Sequence, residues 1–177
     1  FQRVTATLSS TITLNAWHHY IATFDGTNAR SYVDGVSYTP SGHALSFQAF
    51  PSSSVCIGQD CAGTAGRYVT GKLDDVRVYN RALSQAEVTA LYQSYDANIQ
   101  VATTQKGLVG QWKFDGNAKD STPNSNHGTV TGAVLTTDRK GQANKAYSFN
   151  GTSNYISQAY DTDFDFGTGS FAISTWF

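Results

Sequence analysis

Residues 71–92, GKLDDVRVYNRALSQAEVTALY, constrain the fold most, because a strand there runs directly into a capped helix. Val76 and Val78 alternate with Arg77 and Tyr79 at the two-residue period of a half-buried strand. Leu73 is out of phase with them, so either both faces are covered or a bulge at Asp74-Asp75 shifts the register, and the bulge is the expected solution. Ser84 stands three residues before Glu87, the spacing at which the two side chains reciprocally satisfy free amides of a first helical turn. Leu83 can staple to Val88, and Val88, Leu91, Tyr92 and Tyr95 make one apolar stripe. The pattern predicts a single short helix near 84–95, laid on another layer.

The rest of the chain reads as strands joined by turns. Charged residues are 14% of the total, against roughly 25% in ordinary globular chains. Ser, Thr, Asn and 16 Gly fill the gap, with 13% aromatics. A net charge of −1 supplies no basic field for nucleic acid. No stretch approaches the roughly 20 apolar residues of a membrane span, so no membrane insertion is expected. There is no Met, and the chain opens in mid-pattern at Phe1, which reads as a processed or excised piece. Cys56 and Cys61 lack the second ligand pair of a zinc site. In an exported chain they read as a local disulfide, the alternative being a pair of free thiols.

Strands are expected over residues 1–8, 12–14, 17–24, 55–57, 107–116, 130–135, 146–149, 155–156 and 170–177. WHHYIATF at 17–24 is apolar on both parities, as in a strand covered on both faces. Asp34-Gly35, between two short β-type runs, predicts a tight hairpin because both turn positions need positive φ.

Against this background, LNAWHHYIATFDGTNARSYVDG followed by IGQD and GKLDDVRVYNRALSQAEV resembles the C-terminal half of a laminin G-like domain, of the concanavalin A-like jelly-roll group. GLVGQWKFDGNAKDSTPNSNHGT, AYSFNGTSNYI and SFAISTWF resemble the N-terminal half of the same kind of domain. The resemblance implies an all-β fold, an antiparallel β-sandwich. It divides the chain into a C-terminal half at 1–97, a linker at 98–106 and an N-terminal half at 107–177, with several strands between STWF and the Trp17 strand absent. The halves stand in reverse order. Either the chain is a window from a tandem array, or the halves complement each other, within the chain or between copies, as one permuted sandwich. An unpaired half would expose sheet edges and an apolar face, which favours complementation. Exchange that does not close on itself would build a filament.

Asp74 and Asp75 either ligate a hard cation or mark the bulge. Asp115, Asn117 and Asp120 in FDGNAKD place three oxygen donors in one turn, a pattern that suits calcium, and the resemblance implies a structural Ca2+. His18 and His19 point to opposite faces of their strand and so cannot hold a metal together. His43 and His127 stand alone. Asp161, Asp163 and Asp165 read as a solvated loop, since Glu87 is the one Glu in the chain. Asn150 opens a glycosylation sequon. The expected function is a non-catalytic, extracellular or cell-surface module of a repetitive adhesion protein, binding glycan or an extracellular protein. The alternative is a structural repeat cohering with neighbouring copies. Trp17, Trp112 and Trp176 are expected in the core, leaving Tyr38, Phe50 and Tyr160 as loop aromatics; the ligand-binding residues are not identified.

Overall fold

The computed structural model describes residues 12–38, 54–61, 67–94 and 102–177. The strand expected over residues 1–8, together with His43, Phe50, Tyr95 and the Tyr38 side chain, lies outside the described parts. Among the described residues the strands are β1 (His19–Phe24), β2 (Ala29–Val33), β3 (Val36–Tyr38), β4 (Val55–Ile57) and β5 (Thr70–Tyr79). Helix α1 (Gln85–Gln93) and a 3-10 turn at Ala102–Gln105 follow. Then come β6 (Leu108–Trp112), β7 (Thr129–Thr131), β8 (Val134–Thr136), β9 (Ala146–Asn150), β10 (Tyr155–Gln158), a 3-10 turn at Thr162–Phe164, and β11 (Phe171–Trp176).

The strands form an antiparallel sandwich. One sheet has eight strands in the order β3-β2-β1-β11-β5-β9-β8, with β6 also on β5, and the other runs β4-β10-β7. Between the sheets lie Ile57, Leu73, Val76, Val78, Trp112, Phe114, Phe149 and Ile156. On the other face of the large sheet, Val88 and Leu91 of α1 pack with Ile21, Tyr32, Tyr79, Leu83 and Ala172. The middle of the large sheet is therefore covered on both faces, which is why β1 is apolar at both parities.

Two local devices shape the large sheet. Asp75 has φ of 46°, and the partner strand advances from Ser174 to Trp176 while β5 runs from Arg77 back to Asp74. One partner residue thus faces two, a bulge at Asp75-Val76, one residue beyond the expected position. It brings Leu73, Val76 and Val78 into one core cluster. At Asp34-Gly35 both residues have positive φ, 51° and 78°, and join β2 to β3 as a two-residue hairpin. The Asp34 carboxylate also accepts from the His19 amide at 2.8 Å and from His18 Nδ1 at 2.7 Å, tying the hairpin to the start of β1.

Three expectations change. Residues 12–14 are not a strand and run into a turn. Trp17 precedes β1 and is half-buried, whereas Trp112 and Trp176 are core. The run 130–135 splits at Gly132, whose φ of 70° turns the chain from β7 in the small sheet to β8 in the large one. A Cβ at Gly132 would also meet the Asn154 amide at 2.3 Å.

Ser84 caps α1 with both arms of the capping box in place, its hydroxyl accepting from the Glu87 amide while Glu87 accepts from the Ser84 amide. Arg81 grips the same Glu87 at 2.7 and 3.0 Å and donates to the Lys106 carbonyl at 2.7 Å, joining the helix start to the end of the linker. Ser84→Ala is expected to destabilise the fold by about 1 kcal/mol, read as a lowered urea midpoint with unchanged m-value.

Candidate functional site

The bulge in β5 sits at the largest gathering of charge among the described residues, with nine of the chain's 25 charged residues around it. Asp74, Asp75 and Arg77 come from β5, Gln111, Lys113 and Asp115 from β6 and the turn after it, and Asp138, Arg139, Lys140, Gln142 and Lys145 from the turn between β8 and β9. They line a cleft of about 180 Å³. Five of the chain's 12 basic residues are there.

The floor is built from fixed ion pairs. Arg77 donates from Nε and Nη2 to the two Asp75 oxygens at 3.1 and 2.8 Å, and Gln111 Nε2 donates to Asp75 Oδ1 at 2.9 Å. Burial works to raise the Asp75 carboxyl, but the Arg77 guanidinium and the Gln111 amide outweigh it and hold the group below its ordinary range. Arg139 donates to Asp74 Oδ2 and lies 4.8 Å above the Trp176 ring. Burial pushes the Asp74 carboxyl up to about 7, against the pull of Arg139. Beneath Arg139, Trp176 continues a stack to His19 at 4.8 Å and to Tyr92 of α1 at 5.8 Å. Around this floor Lys113, Lys140 and Gln142 are exposed, and Lys145 pairs with Asp115 at 3.1 Å.

The oxygen donors expected for calcium do not converge. Asp120 is buried, and its carboxylate accepts from the amides of Gln111, Thr122 and Asn126 and from the Thr122 hydroxyl, at 2.7 to 3.0 Å. Asn117 Oδ1 accepts from the Lys119 amide at 2.9 Å, Asp115 faces Lys145, and Asp74 faces Arg139. Each of these carboxylates meets N–H, O–H or cationic donors, so the set does not fit a divalent cation. Among the described residues no group of three or more His, Cys, Asp or Glu is placed to hold one.

Asp120 instead organises a buried network. Trp112 Nε1 donates to the Asn126 carbonyl, Gln158 Nε2 to Asn126 Oδ1, and Asn126 Nδ2 to Asp163 Oδ2, at 3.0 to 3.1 Å. Asp161 caps the short turn that carries Asp163, and Asp165 is exposed. His18 and His19 are both buried, and His19 Nε2 shares a hydrogen bond with Ser174 Oγ at 2.8 Å. His127, Asn150 and Tyr160 are exposed. Cys56 and Cys61 form a disulfide. The sequence reading missed Arg139, which sits 65 residues from its partner Asp74. The only available signal was the basic cluster Arg139-Lys140 in a turn.

Residues 1–89, half of the chain, match the family model of the concanavalin A-like lectin/glucanases superfamily. The chain belongs to this superfamily. No curated protein and no solved structure matches it. The matched residues of this laminin G-like chain end within α1, so they carry Asp74, Asp75 and Arg77 but none of the cleft residues from β6 onward. Membership supports a lectin-like binding module, of a kind that is generally non-catalytic and typically extracellular. No helix among the described residues is long and apolar enough to cross a membrane.

Two outcomes follow from the electrostatics. Millimolar calcium or a chelator is expected to leave the melting temperature unchanged, because the carboxylates already have donors; a calcium-dependent rise, the mass-action signature of native-state binding, would contradict this. Burial holds the His19 imidazole down at about 4 in the fold, against 6.5 in the unfolded chain. Its contribution is complete above pH 6.5 and is lost as pH falls towards 4, by roughly 3 kcal/mol. His19→Gln, which keeps a donor and acceptor for Ser174, is expected to flatten that part of the stability profile in urea titrations at pH 4 to 7.

Proposed function

We propose that this chain is a non-catalytic, extracellular binding module that recognises a glycan through the cleft between β5, β6 and the β8–β9 turn. The observation that carries this reading is the pair of held carboxylates, Asp74 with Arg139 and Asp75 with Arg77 and Gln111, opening to an exposed rim of Lys113, Lys140 and Gln142. Neighbouring sugar hydroxyls each need an acceptor and a donor at fixed spacing, and carboxylate, guanidinium and amide groups supply both. Because the floor groups are fixed by one another, little side-chain freedom is lost on binding.

Every lining residue is charged or is Gln, and Trp176 is covered by Arg139, so hydrogen bonding supports recognition here rather than stacking on an aromatic face. The Cys56–Cys61 disulfide supports an oxidising, extracellular setting. Arg77 and Arg139, already engaged by Asp75 and Asp74, are fixed donors here.

A glycan array followed by titration calorimetry on the hits tests the reading. Lys113→Ala combined with Gln142→Ala removes two rim side chains that are exposed. The double variant is expected to weaken binding roughly tenfold, about 1.4 kcal/mol, with the melting temperature unchanged. Undiminished binding would move the site away from the cleft.

A further inference from the structure

Strand pairing in this molecule runs mostly across the linker. β1 pairs with β11 over six residues, and β11 pairs with β5. β5 pairs with β6 and β9, and β4 pairs with β10. Pairings confined to one side of the linker are β1 with β2, β2 with β3, β8 with β9, and β7 with β10. In residues 12–94, β1 and β5 belong to one sheet yet have no pairing to each other, because β11 lies between them. Without it they would stand about 9 to 10 Å apart, two strand spacings, with facing edges unsatisfied. The apolar layers depend on the same insertion. Ala172 of β11 is fully buried in one cluster with Ile21, Tyr79 and the α1 residues Val88 and Leu91, and Trp112 and Phe149 complete the cluster begun by Leu73, Val76 and Val78.

We propose that residues 12–94 and 102–177 are two complementary segments, and that the slot between β1 and β5 is an interaction surface for the β11-bearing segment of a second copy of this chain. The hydrogen bonds and burial that close the sandwich lie between the segments and are the same whether the segments share a chain or not. Residues 95–101 supply the covalent connection, and its effect is one of effective concentration, in the millimolar range for a short link. The self-closed chain therefore dominates in dilute solution. Exchange between copies takes over when protein concentration approaches that range or when self-closure is blocked. The cleft is rebuilt wherever exchange occurs, since Asp74, Asp75 and Arg77 come from one segment and Gln111, Lys113 and Arg139 from the other.

The test uses two full-length variants with different tags. Ile21→Asp spoils the slot and leaves residues 102–177 sound, whereas Ala172→Asp spoils β11 and leaves residues 12–94 sound. Each alone is expected to show no cooperative unfolding transition. Co-refolded in equal amounts, they are expected to recover a transition of up to half the wild-type amplitude and to co-purify through either tag. A mixture that stays unfolded, or either variant folding alone as a monomer, overturns the proposal. As a second measurement, a protease site is placed within residues 95–101 of the otherwise unchanged chain and cut after folding. The two pieces are expected to co-elute at the mass of the intact chain and melt together; pieces that separate in native buffer overturn it as well.

Discussion

The pairing of β11 with β1 on one edge and β5 on the other is the contact on which the remaining structure depends. It is reinforced beyond the strand itself, where the His18 and Phe177 backbones exchange hydrogen bonds at 2.9 and 3.0 Å. A strand held on both edges cannot be removed without leaving two rows of orphaned backbone groups. Its side chains reach both layers as well. Phe171 stacks on Phe166 at 5.5 Å and meets Phe24 at 5.9 Å, while Ser174 holds His19 and Trp176 supports Arg139. Sheet, helix layer and cleft thus share one structural member.

The bulge at Asp75-Val76 converts that sheet into a site. A regular β5 would alternate its side chains across the sheet and would put Leu73 on the opposite face from Val76 and Val78. The extra residue keeps all three in the core and concentrates Asp74, Asp75 and Arg77 at one place. Charges in such a position persist only when paired, because removing them from water costs several kcal/mol each. Each floor carboxylate here has its own guanidinium. The pairs are better understood as fixing the shape and polarity of the cleft than as a source of stability. Beyond Gln111, which touches both, the Asp120–Asn126 network does the same for the loop between β6 and β7 with neutral amides and the carboxylates of Asp120 and Asp163, leaving its backbone groups satisfied away from water.

Much of the local structure was legible in the chain. Ser84 and Glu87, Asp34-Gly35, the out-of-phase Leu73 and the Cys56–Cys61 pair each act over a few residues, so their geometry is contained in a short stretch of sequence. The misread stretches are instructive. Residues 130–135 look like one strand because five of the six favour or tolerate extended backbone, and the single Gly132 redirects them into two sheets. The oxygen-rich turn FDGNAKD makes a related point. Donor spacing around Asp115 and Asp120 was visible, but not that amides of Gln111 and Asn126 and the ammonium of Lys145 would reach those oxygens first.

What the sequence determined by itself was the kind of element at most of the described places, the two-faced burial of the β1 stretch, the capped helix and the membership of the fold class. Local backbone preference and the periodicity of burial suffice for these. Strand order and the cleft were decided only in the tertiary structure. The strands that flank β11 come from far earlier in the chain, 151 residues from Ala22 to its partner Ile173 and 95 from Val78 to the same Ile173. Backbone hydrogen bonds are the same for any pair of strands, so no residue names its partner. The choice rests on which arrangement covers both faces of the central strands at once and gives Asp74 and Asp75 their guanidinium partners.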